Sequence, residues 1–202
     1  LGLDDAQLAT RLELAHAVIW VDIDDDGDLD LFMTRRLRTS DITAQTVNAQ
    51  PPALLMRGAD GRLQDFTAQS GLELAGYWEG AAFGDLDGDG DLDLVMLGGI
   101  DPEGNSSGGM FSGTPARLWR NEGGGLFSDF SAASNCTGPA DGESWQTVIL
   151  DLDGDGDQDI LQANDFQNST LCVNDGSGYF SSWQGSGSMD FSASAMGLSV
   201  GD

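Results

Sequence analysis

The residues best placed to do chemistry are aspartates, and the chain sets them out in one spacing three times. The stretches are Asp22-Ile-Asp-Asp-Asp-Gly-Asp-Leu-Asp30, Asp85-Leu-Asp-Gly-Asp-Gly-Asp-Leu-Asp93 and Asp151-Leu-Asp-Gly-Asp-Gly-Asp-Gln-Asp159. Counted from its first aspartate, every nine-residue copy has carboxylates at positions 1, 3, 5, 7 and 9 and glycine at position 6. The candidate metal ligands are therefore Asp22, Asp24, Asp26, Asp28 and Asp30, then Asp85, Asp87, Asp89, Asp91 and Asp93, then Asp151, Asp153, Asp155, Asp157 and Asp159. Carboxylates this close repel one another unless a cation sits among them. An all-oxygen donor set suits a hard ion, and Ca²⁺ accepts about six to eight such ligands in a flexible shell. The position-6 glycine tolerates positive φ and supplies the sharp turn that wraps the backbone around the ion. The three stretches read as calcium loops, giving about three Ca²⁺ sites.

The elements that must hold these loops are short. Before them come the apolar runs Ala17–Val21, Gly80–Gly84 and Thr147–Leu150; after them come Leu29–Met33, Leu92–Leu97 and Ile160–Leu161. Runs of this length, bounded by Gly and Asp, are expected to be buried strands, so that each loop joins two antiparallel strands. A fainter signature follows each pair: Leu54 to Phe66, Leu118 to Phe130 and Leu171 to Trp183, each a Leu twelve residues before an aromatic with a Gly/Asn/Asp turn between. That is a strand, hairpin, strand pattern. Each repeat then holds about four strands, the content of one propeller blade. The expected repeats are residues 1–66, 67–130 and 131–183, with 184–202 opening a fourth whose first ligand would be Asp202. The first two repeats carry insertions, Arg35 to Pro52 and Gly98 to Pro115, which either bind a partner or are tolerated solvated loops.

Composition narrows the classes. The 202 residues include 34 acids against 8 Lys and Arg, a formal charge of −26, and no basic stripe exists to meet nucleic-acid phosphates. Sixteen of the acids lie in the three loops, so the imbalance is mainly local. No apolar run approaches a membrane span. The absence of an initiator Met and of a signal peptide is expected of a piece of a longer chain. Cys136 and Cys172 are compatible with one disulfide or with two buried thiols. Asn105, Asn135 and Asn168 each begin an N-glycosylation triplet, a weak signal.

Position 12 separates the families that use such loops. An EF-hand needs a bidentate Glu there between two helices, and dockerin-like and thrombospondin-type repeats also place an acid; here it is Met33, Met96 and Gln162. What remains resembles the FG-GAP/VCBS repeat, the calcium-loop blade of integrin-α-like β-propellers. The resemblance rests on the loops, the Gly84-Asp85 and Gly201-Asp202 pairs, and the Leu-x-x-Asn-x-Gly-x-Gly hairpins at Leu118 and Leu171. Val21 departs from the usual Gly before the first loop. The resemblance implies an all-β chain of four-stranded antiparallel blades. It implies side-chain ligands at positions 1, 3, 5 and 9 and a backbone carbonyl ligand at position 7, whose own carboxylates Asp28, Asp91 and Asp157 are expected to face water.

Function is less explicit. The expectation is an extracellular or cell-surface module that calcium stabilises, recognising a protein or a glycan; the alternative is a subunit that assembles through open blade edges. An enzyme is not expected: His16 is the only histidine, on a strand, and no Gly-x-Ser-x-Gly elbow or zinc-ligand cluster occurs. Among Trp20, Trp78, Trp119, Trp145 and Trp183, most are expected in blade cores, and Trp78 is the best candidate for an exposed contact.

Overall fold

The computed structural model describes residues 2–12, 15–35, 51–72, 74, 76, 78–101, 112–113, 115–137, 143–165, 168–182 and 197–198. Three four-stranded antiparallel sheets dominate it. The first blade is β1 (Ala15–Val21), β2 (Asp30–Arg35), β3 (Ala53–Arg57) and β4 (Leu63–Asp65). The second is β5 (Trp78–Gly84), β6 (Asp93–Gly98), β9 (Arg117–Asn121) and β10 (Phe127–Asp129), with a short ribbon of β7 (Ile100–Asp101) and β8 (Ser112–Gly113) inserted between β6 and β9. The third is β11 (Glu143–Leu150), β12 (Asp159–Asp165), β13 (Thr170–Asn174) and β14 (Phe180–Ser182). Every blade runs as a meander in which each strand pairs with the next. The loops join the first strand to the second each time, as the sequence pattern predicts.

The registers coincide. Val21 faces Asp30, Gly84 faces Asp93 and Leu150 faces Asp159, so each loop is closed by a pair between the residue before it and its last aspartate. The first strand of each blade also carries an irregular step at a matching place, between Ala15 and Val18, Trp78 and Gly80, and Ser144 and Gln146. The second strands are the most buried, with Leu31, Phe32, Met33, Leu94, Val95, Met96 and Ile160 essentially sealed from water.

Blades stack through apolar faces. Phe83 of the second blade meets Phe32 of the first edge to face at 5.2 Å, and Trp78 and Trp119, both of the second blade and 5.8 Å apart, share a core cluster with Ile23, Phe32 and Leu54 of the first. Leu86, Val95, Leu118 and Phe130 of the second blade form one cluster with Ile149, Ile160, Cys172 and Phe180 of the third. The exposed-contact expectation for Trp78 is therefore corrected. Trp78 is fully buried at the start of β5 between blades, and its Nε1 donates to Leu74 O at 3.2 Å. Among the described tryptophans Trp20 is the exposed one, at 50%. The expectation of a buried first strand also fails in β1, which alternates and leaves Val18 and Trp20 facing water. The two insertions start later than read from sequence, because Arg35 ends β2 and Gly98 ends β6. Most of both insertions, Arg36, Arg38, Asn105, Trp183 and Asp202 lie outside the described residues.

Short helices, absent from the sequence expectation, bracket the blades. α1 (Asp5–Leu12) opens on reciprocal bonds between Asp4 and Gln7, a capping box. α2 (Thr67–Ser70) and α3 (Ser131–Ser134) follow the fourth strands of the first and second blades and end on Gly71 and Asn135 in the left-handed conformation. Among the described residues no helix is long and apolar enough to cross a membrane.

The sequence left two options open for the cysteines, and the structure selects one: Cys136, just after α3, is disulfide-bonded to Cys172 on β13. The bond ties the connection leaving the second blade to the middle of the third. With 36 residues between its ends, chain-entropy reasoning gives about 3–4 kcal/mol of stabilisation. Replacing both cysteines by serine is expected to lower stability by that order, measured as the denaturant midpoint at unchanged slope; an unchanged midpoint would show that the bond constrains nothing.

Candidate metal centres

Each loop is built on carboxylates that first satisfy its own backbone. At position 1, Asp85 accepts from the N–H of Gly88 (2.8 Å) and of Gly90 (3.1 Å), and Asp151 accepts from Gly154 (2.8 Å) and Gly156 (3.1 Å). Asp22 accepts instead from Asp26 (3.1 Å) and Gly27 (3.0 Å). Position 4 is Gly88 and Gly154 in the later loops and Asp25 in the first, and all three are at positive φ. Aspartate is among the few non-glycine residues that tolerate that conformation. Position 5 then accepts from the position-7 N–H in all three loops: Asp26 from Asp28 at 2.8 Å, Asp89 from Asp91 at 2.9 Å and Asp155 from Asp157 at 3.0 Å.

Position 9 does something different. Asp30, Asp93 and Asp159 begin the second strands and are 1%, 0% and 0% exposed. One carboxylate oxygen accepts from the N–H of position 2 in the same loop: Ile23 at 3.1 Å, Leu86 at 3.0 Å, Leu152 at 2.8 Å. The other accepts from the third strand: Arg57 at 2.7 Å, Asn121 at 2.9 Å, Asn174 at 2.9 Å. The position-9 aspartate thus fastens loop, second strand and third strand together.

The fold brings positions 1, 3 and 9 to one point. Ligand atoms of Asp22, Asp24 and Asp30 lie within 4.8 Å of one another, and so do those of Asp85, Asp87 and Asp93 and of Asp151, Asp153 and Asp159. Position 5 falls outside these triplets. So does position 7: Asp28 is exposed, as expected, but Asp91 and Asp157 are half-buried and lie beside Gly123 and Gly176 of the following hairpins. A Cβ on Gly176 would collide with the Asp157 carboxyl group, which is a local reason for glycine there.

The electrostatics ask for a cation. Burial, followed by repulsion from Asp30 and Asp26, pushes Asp24 above the ordinary carboxylate range. Burial likewise raises Asp30 and Asp87. It raises Asp93 to about 7, against the lowering effect of its two backbone N–H donors. Oδ1 of Asp24 is sealed from solvent and accepts no hydrogen bond. An all-carboxylate oxygen cluster with an unanswered buried acceptor fits a hard divalent ion and no softer metal.

Two functional residues escaped the sequence reading. Asn121 and Asn174 stand in the hairpin motif and had been read as turn residues. Nδ2 of Asn121 donates to Ile23 O of the first blade's loop (3.0 Å) and to Leu92 O of its own (3.3 Å). Nδ2 of Asn174 donates to Leu86 O of the second blade's loop (2.7 Å) and to Gln158 O (2.9 Å). Each asparagine therefore stitches its blade to the loop of the blade before. The shared Leu-x-x-Asn spacing, Leu118 to Asn121 and Leu171 to Asn174, was the available signal.

Asp93 gives the centres a pH dependence of definite sign. Its folded pKa of about 7 lies above the ordinary 3.8, so the metal-free fold favours the protonated acid. That contribution is fully present below the unfolded value and is lost as pH rises through the folded one. The metal-free chain is expected to melt a few degrees higher near pH 5 than near pH 8, with calcium raising the midpoint more at the higher pH. Thermal unfolding at both pH values, with and without calcium, checks it; a pH-independent metal-free midpoint would contradict the burial of Asp93.

Comparison with known proteins adds one match. Residues 22–96 match the family model described as the FG-GAP-like repeat, a stretch running from the first ligand of the first loop to Met96 in β6. No curated protein matches the chain. Over residues 22–96 the chain is thus similar to the FG-GAP-like repeat.

Proposed function

We propose that the chain is a calcium-stabilised set of propeller blades that acts outside the cell by binding a protein or a glycan. The observation that carries this reading is the convergence of three carboxylates to within 4.8 Å in each of three loops, one of them buried every time. Calcium bound there would supply the charge compensation that Asp22, Asp24 and Asp30 and their counterparts lack. Because these residues are assembled only in the folded blade, binding energy becomes folding energy. The Cys136–Cys172 disulfide supports an oxidising compartment. Extracellular modules of this chemistry hold calcium at roughly 10⁻⁴–10⁻³ M, which matches such a home.

Binding rather than catalysis is favoured by where the reactive groups are used. Nδ1 of His16 lies 2.6 Å from Glu79 O, a contact between the first and second blades, and the loop aspartates are engaged by backbone N–H groups. The stacked blades and the inserted segments between second and third strands are the surfaces left for a partner.

A second reading, a subunit of an extracellular assembly, has one observation in its favour. Val18 and Trp20 are exposed at the positions where Ala81 and Phe83 of the second blade pack against the first. The occupant would be another blade of the same design. Light scattering in calcium separates the readings: a monomer supports recognition, and concentration-dependent polymers support assembly.

Chelation tests the common premise. Removal of calcium is expected to lower the thermal midpoint by ten degrees or more on the order of magnitude of ligand linkage at several sites, with recovery on adding calcium back. A midpoint indifferent to chelator would sink the structural-calcium reading.

A further inference from the structure

The three loops share their aspartates but not their neighbouring cations. Among the described residues the ion pairs are Arg11–Asp65, His16–Glu79, Arg117–Asp129 and Arg120–Asp87. Only the last reaches a loop: Nε of Arg120 lies 2.6 Å from Oδ2 of Asp87, position 3 of the second loop. The guanidinium is held in place. It sits over the Phe130 ring at 5.2 Å from the centroid, and Gly178 of the third blade closes over the group. A Cβ on Gly178 would lie 3.4 Å from Asp87 Cβ and from Phe130 Cε2, and 3.5 Å from Arg120 Nη2. The Asp87 side chain is left only 11% exposed.

The other blades do without this arrangement. Strand register places Met56, Arg120 and Val173 at one structural position, opposite Gln64, Ser128 and Ser181. The nearest arginine in the first blade, Arg57, sends Nε to Leu29 O at 2.9 Å and Nη1 to Gly61 O at 3.0 Å. Its guanidinium therefore serves backbone carbonyls, and only its backbone N–H reaches a carboxylate of the first loop, Asp30.

We propose that Arg120 makes the second loop the weakest of the three calcium sites by acting as a cation built into it. The proposal rests on the calcium reading of the loops. Asp87 shares its charge with the guanidinium, and the same guanidinium repels a divalent ion among Asp85, Asp87 and Asp93. Both effects persist because Asp87 and the Arg120 Nε that meets it are withdrawn from water and salt, although the Arg120 side chain as a whole is 36% exposed. The first and third loops then fill at low calcium. The second keeps its shape through Arg120 and fills last, so the module has a graded response in place of a single threshold.

Calcium titration of the whole chain, followed by NMR, reads the loops separately through the backbone amides of Gly27, Gly90 and Gly156, position 6 of each. The Gly90 midpoint is expected at roughly tenfold higher calcium than the other two, a difference of about 1.4 kcal/mol. Arg120→Met gives the second blade the residue that the first blade carries, and it should bring Gly90 to the others' midpoint without moving Gly27. Arg120→Lys keeps the charge and should leave Gly90 late. Coincident midpoints in the unaltered chain, or a Gly90 midpoint still late in folded Arg120→Met, overturn the proposal. Glycine amides indifferent to calcium overturn the calcium reading instead. Should Arg120→Met fail to fold, the three midpoints of the unaltered chain decide the question.

Discussion

The buried aspartate at position 9 is the constraint on which the rest of the structure depends. Asp30, Asp93 and Asp159 are removed from water, and a carboxylate there is costly to ionise unless it is hydrogen-bonded and charge-compensated. Two backbone N–H groups meet the first requirement in every blade. They do not meet the second, since burial still holds Asp93 near 7 and Asp30 above its ordinary range. The loop supplies more negative charge, not less, by bringing positions 1 and 3 alongside. A fold that gathers two carboxylates beside a buried third favours a cation among them, and binding of such a cation would be coupled to folding.

That dependence is passed from blade to blade. Position 2 of each loop donates its N–H to position 9, and in the first two loops its carbonyl accepts from the asparagine of the next blade, Asn121 on Ile23 and Asn174 on Leu86. The same peptide segment is thus clamped on one side by its own loop and on the other by its neighbour. Blades that interact only with adjacent blades behave as a nearly one-dimensional array. In such an array a loosened loop weakens the interface that follows it. A cation bound in one loop would therefore be felt in the next blade through a pair of hydrogen bonds and not only through apolar packing.

Much of this was legible in the sequence, and the limits have physical reasons. Asp-x-Asp spacing, apolar runs of strand length and the Leu-to-aromatic hairpin are local patterns, and they located three loops and twelve blade strands. Burial of position 9 was not legible, because Asp30 differs from Asp22 only in what packs over it. Trp78 was misplaced because neighbouring glycines and Tyr77 suggested a turn, whereas the aromatic face of Trp119 pulls it into the inter-blade core. The small helices α2 and α3 are one turn of Thr, Ser, Ala and Gln, too short to show a period. Asn121 and Asn174 looked like turn residues because their second role is 98 and 88 residues away in sequence.

The first blade shows what the repeat does when no blade precedes it in the described structure. Its outward face, Leu31, Met33, Ala53, Leu55 and Leu63, is packed by Leu3, Leu8 and Ala15, so α1 and its flanks cover what a neighbouring blade covers elsewhere. Arg57 stands where the later blades have Asn121 and Asn174. An asparagine there would find no preceding loop to reach; the arginine turns back to Leu29 O and lays its guanidinium over Trp20 at 5.6 Å from the centroid. A cation over an exposed indole both shields apolar area and stays hydrated. Among the described residues, this face is covered by α1 and its flanks in part, with Val18 and Trp20 left exposed.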